Sequence, residues 1–207
     1  MRYISIDIET TGLNPEKCQI LEFAAVLDDT DKVCKISELP RLHLRFNLGE
    51  GFYGEPYALN LNGALIQKIF KKDDTECPIF DISSLHSRLI DFLRNSGYAG
   101  NFPYKDTAVF GVIKEKVVVA GKNFHGFDKK FLDKVGAFDN IALSHRCIDP
   151  TVLFWQSSDK ELPSSEKCYS RAGLVEDVKH TALEDAIGII KLVRRGVKLP
   201  DLLEDNV

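Results

Sequence analysis

Polar and apolar residues alternate from the first residues of the chain. In RYISIDIE, Tyr3, Ser5, Asp7 and Glu9 fall on one face and Ile4, Ile6 and Ile8 on the other, the period-2 pattern of a β-strand. TTGLNPEK interrupts it as a turn, with Gly12 and Asn14-Pro15 as the breakers. QILEFAAVLDD and RLHLRF predict two more strands, and short polar connections make the three an N-terminal meander. Residues 49–63, rich in Gly, Asn and Pro, read as an irregular connection. ALIQKIFKK and ISSLHSRLIDFLRN have helical spacing, the second with Leu85, Leu89, Ile90 and Leu93 on one face. Residues 95–108 read as a loop.

KVVVAGKN is a nearly continuous apolar run, the mark of a strand buried on both faces. GFDKKFLDKVG follows as a helix, with Phe127, Phe131 and Val135 at helical spacing and Gly136 as its stop. RCID predicts a strand, TVLFWQ a helix after Pro150, and LPSSEKCYSRAGL a short helix between Pro163 and Gly173. TALEDAIGIIKLVRRG closes the chain as a helix ending at Gly196. No repeat, low-complexity tract or linker interrupts the 207 residues, so one α/β domain is the simplest account.

Composition changes little in this picture. Apolar residues make up 44% and charged residues 28%, which suffices for a sizeable core. No apolar run approaches the roughly 20 residues that span a bilayer, and Met1 leads straight into a strand, so a soluble, cytoplasmic protein is expected. The five cysteines form no CxxC pair and read as reduced thiols. A net charge of −4 argues against a nucleic-acid coating protein, but it is compatible with an enzyme that spends acids on metal ions.

Three places carry chemistry. Asp7 and Glu9 point the same way, with Cα atoms about 6.5–7 Å apart, and can grip one cation. The plain alternative is the solvated face of an edge strand. Asp128, in GKNFHGFDKK, stands where a helix follows a buried strand, a place where open α/β sheets bind ligands. Its plain alternative is a favourable acid at a helix N-terminus. In HTALED, Thr181 and Glu184 form a capping box, so His180 precedes the cap and Asp185 is the fourth helical residue. A hydrophobic staple joins those two positions in many helices. An exposed His–Asp pair is the plain alternative here.

Taken together, DIETTGL, N-x-x-x-F-D from Asn123 to Asp128, and H-x-x-x-x-D from His180 to Asp185 resemble the three motifs of the DEDDh 3′–5′ exonucleases. That family includes proofreading exonucleases, ribonuclease T and oligoribonuclease. The motifs occur in the family's order and span residues 7 to 185, and LPSSEKCYSRAGL resembles the helix that precedes the third.

The resemblance implies a ribonuclease H-like three-layer fold, with a mixed five-stranded sheet between helices, over a single exonuclease domain, residues 1–207. It implies two divalent ions, Mg²⁺ or Mn²⁺, held by Asp7, Glu9, Asp128 and Asp185, and His180 as general base. The reaction it implies is hydrolysis at the 3′ end of single-stranded DNA or RNA, releasing 5′-monophosphates. Thr10, Thr11, Gly12 and Leu13 would seat the terminal nucleotide, through backbone and a Leu13 wedge, with Phe124 as a further candidate. YALNLNG, residues 57–63, resembles a segment near that nucleotide in some relatives. A homodimer, or a polymerase or repair protein as partner, is compatible with the resemblance.

Trp155 is expected in the core, and Lys191, Arg194 and Arg195 as cations suited to a helix C-terminus. Two other function classes compete. One is a binding module of the same fold without catalysis, which the complete set of acids and His180 disfavours. The other is a haloacid dehalogenase-type phosphatase, which expects an Asp where Glu9 stands.

Overall fold

The structure, a computed structural model, describes residues 1–101, 111–175 and 181–199. The chain opens with β1 (Arg2–Thr10), β2 (Ile20–Asp29) and β3 (Arg41–Phe46), paired as the predicted antiparallel meander. Helices α1 (Pro56–Leu61) and α2 (Gly63–Phe70) follow, then β4 (Ile79–Phe80), α3 (Leu85–Asn95) and β5 (Gly100–Asn101). β6 (Val112–Ala120), α4 (Asp128–Lys134), β7 (Ile141–Ile148), a 3₁₀ turn at Pro150–Phe154, α5 (Ser165–Ala172) and α6 (Ala182–Gly196) complete it. The strands run in the order β4-β3-β2-β1-β6-β5, with β7 paired to β6. β1, β6 and β7 are mutually parallel neighbours and the meander is antiparallel, so the sheet is mixed. Five strands have six residues or more, and β4 and β5 add two residues each.

Helices cover both faces, as in a ribonuclease H-like fold. Ile4, Ile6 and Ile8 pack with Leu85, Leu89, Ile90 and Leu93 of α3 and with Phe131 and Leu132 of α4. On the other face Tyr3, Ala24 and Val26 pack with Ala182, Ala186, Ile190 and Val193 of α6. β1 is therefore central and covered twice, and the edge-strand reading of Asp7 and Glu9 does not hold.

Several elements depart from the pattern-based expectation. The 49–63 connection contains α1, started by Pro56 in the first turn. None of its six residues is buried, so it has no apolar stripe to betray it. β7 begins at Ile141, well before RCID, because it pairs with β6 and its middle faces outward. β5 falls inside the expected 95–108 loop. Trp155 is 50% exposed and Leu153 42%, so neither belongs to the core.

Arg194 stands in the last turn of α6 as expected, and it is buried. Its Nε and Nη2 donate to Asp28 Oδ2 and Oδ1 at 2.9 and 2.6 Å, and Nη1 donates to the Cys34 carbonyl at 2.8 Å. Tyr3 Oη donates to the same Asp28 Oδ2 at 2.7 Å. This bidentate pair fastens the end of α6 to β2. Removing one partner leaves an uncompensated buried charge, so Arg194→Ala is expected to cost about 3–5 kcal/mol of stability, read as a lowered midpoint in urea unfolding.

Candidate metal centre

β1 and β6 pair in register only at Ile4↔Val119 and Ser5↔Ala120. Past Ser5 they part, and the acids gather at that opening. Asp7 and Glu9 lie on the α6 side of β1. Ser5 Oγ donates to the Ala186 carbonyl at 2.7 Å, which sets the first turn of α6 against the strand. Asp185 thereby lies over the pair, and carboxylate oxygens of Asp7, Glu9 and Asp185 come within 4.8 Å of one another. Asp128, the first residue of α4, is buried and accepts the backbone N–H of Ile8. The turn before it is shaped by Asn123, which has φ +52° and whose carbonyl accepts the N–H groups of Gly126 and Phe127 at 2.9 and 3.0 Å.

Burial, and then the neighbouring acids Asp128, Asp185, Glu9 and Glu22, push the Asp7 carboxyl well above the usual range. Burial raises Glu9 to about 7 despite a hydrogen bond from Asn62, and Asp128 also to about 7 despite its backbone donors. The residues fit a divalent cation: they are hard carboxylate donors, converging, and the groups acting most on Asp7 are themselves acids. A cavity of about 300 Å³ opens beside them, lined by Asp7, Asp185, Lys122, Thr151, Ser165 and Tyr169. A larger hollow of about 440 Å³, between Gln19, Asn47 and Lys134, contains none of these four acids.

The remaining expected site residues fall into place unevenly. Leu13 is 73% exposed beside the strand end, and its backbone N–H donates to Glu55 Oε2 at 3.0 Å. Thr10 and Thr11 are buried, and their hydroxyls donate to the carbonyls of Gly12 and Tyr53 at 2.8 and 2.7 Å. Gly12 is buried too, with Cys18 and Glu55 too close for a side chain to fit without movement. The stretch thus presents Leu13 and uses its threonines as scaffold. Phe124, the further candidate, is buried in the core edge-on to Phe138. Thr181 caps α6 as expected, its Oγ1 accepting from Glu184 N at 3.2 Å. His180 lies outside the described residues, and so does its pairing with Asp185.

Glu22 escaped the sequence reading. It sits across from Glu9 in the β1–β2 ladder and is fully buried. Its Oε2 accepts the Ala182 N–H at 2.9 Å, at the start of α6, and its Oε1 accepts from Arg45 Nε at 2.9 Å. The signal was a lone acid inside the apolar run ILEFAAVL. Ligand atoms of Glu22, His43 and Cys77 also come within 4.8 Å. Arg45 already supplies a cation to Glu22 there, and burial pushes the Cys77 thiol up to about 12.

No family model and no curated protein sequence matches the chain. Solved structures do. An exonuclease I structure superimposes with a TM-score of 0.62 at 14% identity, over 93% of this chain and 40% of that one. A zinc-bound complex of E. coli exonuclease I with single-stranded DNA gives 0.59 at 15%, over 97% and 41%. Exonuclease I from Methylocaldum szegediense gives 0.57 at 16%, over 97% and 41%. At such identities the likeness shows the fold, and the chain spans about 40% of those proteins' length.

Raised carboxyls give the fold a characteristic pH dependence. Glu9 and Asp128 titrate higher folded than unfolded, so their contribution is fully present below the ordinary carboxylate range and is lost as pH rises through about 7. In EDTA the melting temperature is expected to fall between pH 5 and pH 8. Mn²⁺ is expected to raise it most at the alkaline end, because below about 7 protons compete for the same oxygens. Thermal melts across that range, with and without Mn²⁺, check both trends.

Proposed function

We propose that the chain is a metal-dependent 3′–5′ exonuclease of the DEDDh type, acting on 3′ ends of single-stranded nucleic acid and releasing 5′-monophosphates. One observation carries the reading: Asp7, Glu9 and Asp185 converge, with Asp128 beside them, at the open end of the central strand of a ribonuclease H-like sheet. Exonuclease I structures of that fold hold single-stranded DNA in one case and dA13 and dT13 oligonucleotides in others, which supports the substrate class.

In this reading the four acids hold divalent ions, and Mg²⁺ or Mn²⁺ suits their oxygen donors. Bound there, the ions supply an activated water and stabilisation of the phosphodiester oxygens. The chain's own groups orient and exclude. Leu13 offers an apolar side chain on which the terminal base can stack without regard to sequence. Neutral His180 takes the proton of the attacking water, a role suited to an ordinary pKa near 6.5. The whole chain, 1–207, acts as one exonuclease domain.

The deciding experiment uses matched 3′- and 5′-labelled DNA and RNA oligonucleotides with Mg²⁺, Mn²⁺ or EDTA. Stepwise shortening from the 3′ end is expected with either metal, and none in EDTA. Asp185→Asn is expected to lower kcat/KM by about a hundredfold or more, since several kcal/mol of charge stabilisation rides on the ions. Undiminished cleavage in that variant overturns the site assignment. Binding without cleavage by the wild type identifies a binding module instead. The rate should fall as pH drops through the His180 titration, and a flat profile from pH 5 to 8 removes His180 as the base.

A further inference from the structure

We propose that Asn62 is a positioning residue for Glu9, through which the α1–α2 pair sets the geometry of the metal centre. The proposal rests on the reading above only in taking Glu9 as a metal ligand. Asn62 stands at the junction of the two helices, with its main chain fixed from both sides. Its N–H donates to the Ala58 carbonyl at 2.9 Å, and its own carbonyl accepts from Ile66 N at 2.9 Å. It occupies the N-cap position of α2, where an asparagine side chain ordinarily satisfies a first-turn N–H. Here the side chain makes no such bond. Buried in the protein, its Nδ2 donates to the Thr10 carbonyl at 3.1 Å, on the residue next to Glu9, and the amide favours the ionised Glu9 carboxylate. An amide nitrogen has two hydrogens, so one group can hold both acceptors.

Glu55 does the same one helix earlier. It is the N-cap residue of α1, makes no capping bond, and instead accepts the Leu13 N–H. Glu55 N also donates to the Thr11 carbonyl at 2.7 Å. Two consecutive helices thus turn their cap side chains away from their own backbones and onto DIETTGL. Asn62 grips the metal-ligand end of that stretch, and Glu55 grips the end that presents Leu13. The pair is footed on the sheet by Ile66 and Ile69 of α2, which pack on Leu21 of β2. A nucleotide seated against Leu13 and a cation held by Glu9 therefore lean on one α1–α2 unit.

The test is titration calorimetry of the full chain with Mn²⁺ alone, without nucleic acid. Outer-shell partners of metal ligands typically change affinity by about 10–100-fold. Asn62→Ala is expected to weaken Mn²⁺ binding about tenfold. Asn62→Ser is the decisive variant, because serine is a good cap that is too short to reach Glu9. Its cap should let it melt in EDTA above Asn62→Ala, yet it should bind Mn²⁺ as weakly as Asn62→Ala. Wild-type Mn²⁺ affinity in the Ser and Ala variants overturns the positioning role. A wild type that binds Mn²⁺ but cleaves no oligonucleotide overturns the exonuclease reading alone, and the titration still decides the role of Asn62.

Discussion

Mutual repulsion among Asp7, Glu9, Asp128 and Asp185 is the constraint around which this structure is built. The acids come from three places: two from the central strand, one from the start of α4, and one from the first turn of α6. Strands β1 and β6 stay paired only as far as Ser5 and Ala120, and the acids occupy the space where they part. Burial on both faces of β1 then denies the carboxylates the water that would screen them.

Opposing that repulsion is the way α6 is fixed. The helix is tied to the sheet near its start, one turn on, and near its end: Ala182 N–H to Glu22, the Ala186 carbonyl to Ser5, and Arg194 to Asp28. Each tie is a buried polar contact in an otherwise apolar seam of Tyr3, Ala24, Val26, Ile190 and Val193. Apolar packing alone would tolerate some sliding of the helix along the sheet. Directional hydrogen bonds at separate points do not, because any slide would strand buried donors and acceptors. Asp185 lies between the first two ties, the stretch of α6 where displacement is most restricted.

The layered fold was largely legible from periodicity. β1, β2, β3, α3 and α6 each repeat their apolar positions over two turns or several strand residues, and each formed close to where the pattern put it. The acids of the site were legible for another reason: a charge inside an apolar strand needs a cause. The same logic applied to Glu22 in ILEFAAVL, where a single acid drew no notice without a partner in sequence. Its partners are Arg45 on the neighbouring strand and a backbone N–H 160 residues away, which only the fold brings together. Helix α1 was invisible because it buries nothing, and a loop position gave no hint of how Phe124 packs on Phe138. Trp155 shows the converse: the run TVLFWQ is apolar in sequence, yet its last aromatic faces outward.

Magnitudes indicate what the protein alone can and cannot settle at the acid cluster. Displacing Glu9 from 4.5 and Asp128 from 3.8 to about 7 corresponds to a cost on the order of 3–4 kcal/mol for ionising each in place. Two helices begin at the cluster, and a helix N-terminus near an acid returns about 0.3–1 kcal/mol. Part of even that is already committed: the Ala182 N–H goes to Glu22 and the Glu184 N–H to Thr181. Dipoles therefore lose to desolvation and repulsion by a wide margin. The protein's own remedy elsewhere is a guanidinium, as Arg45 for Glu22 and Arg194 for Asp28. Among these four acids the strongest neighbours of Asp7 are acids instead, which leaves the compensating charge to come from a small, multivalent species that hard oxygens can surround.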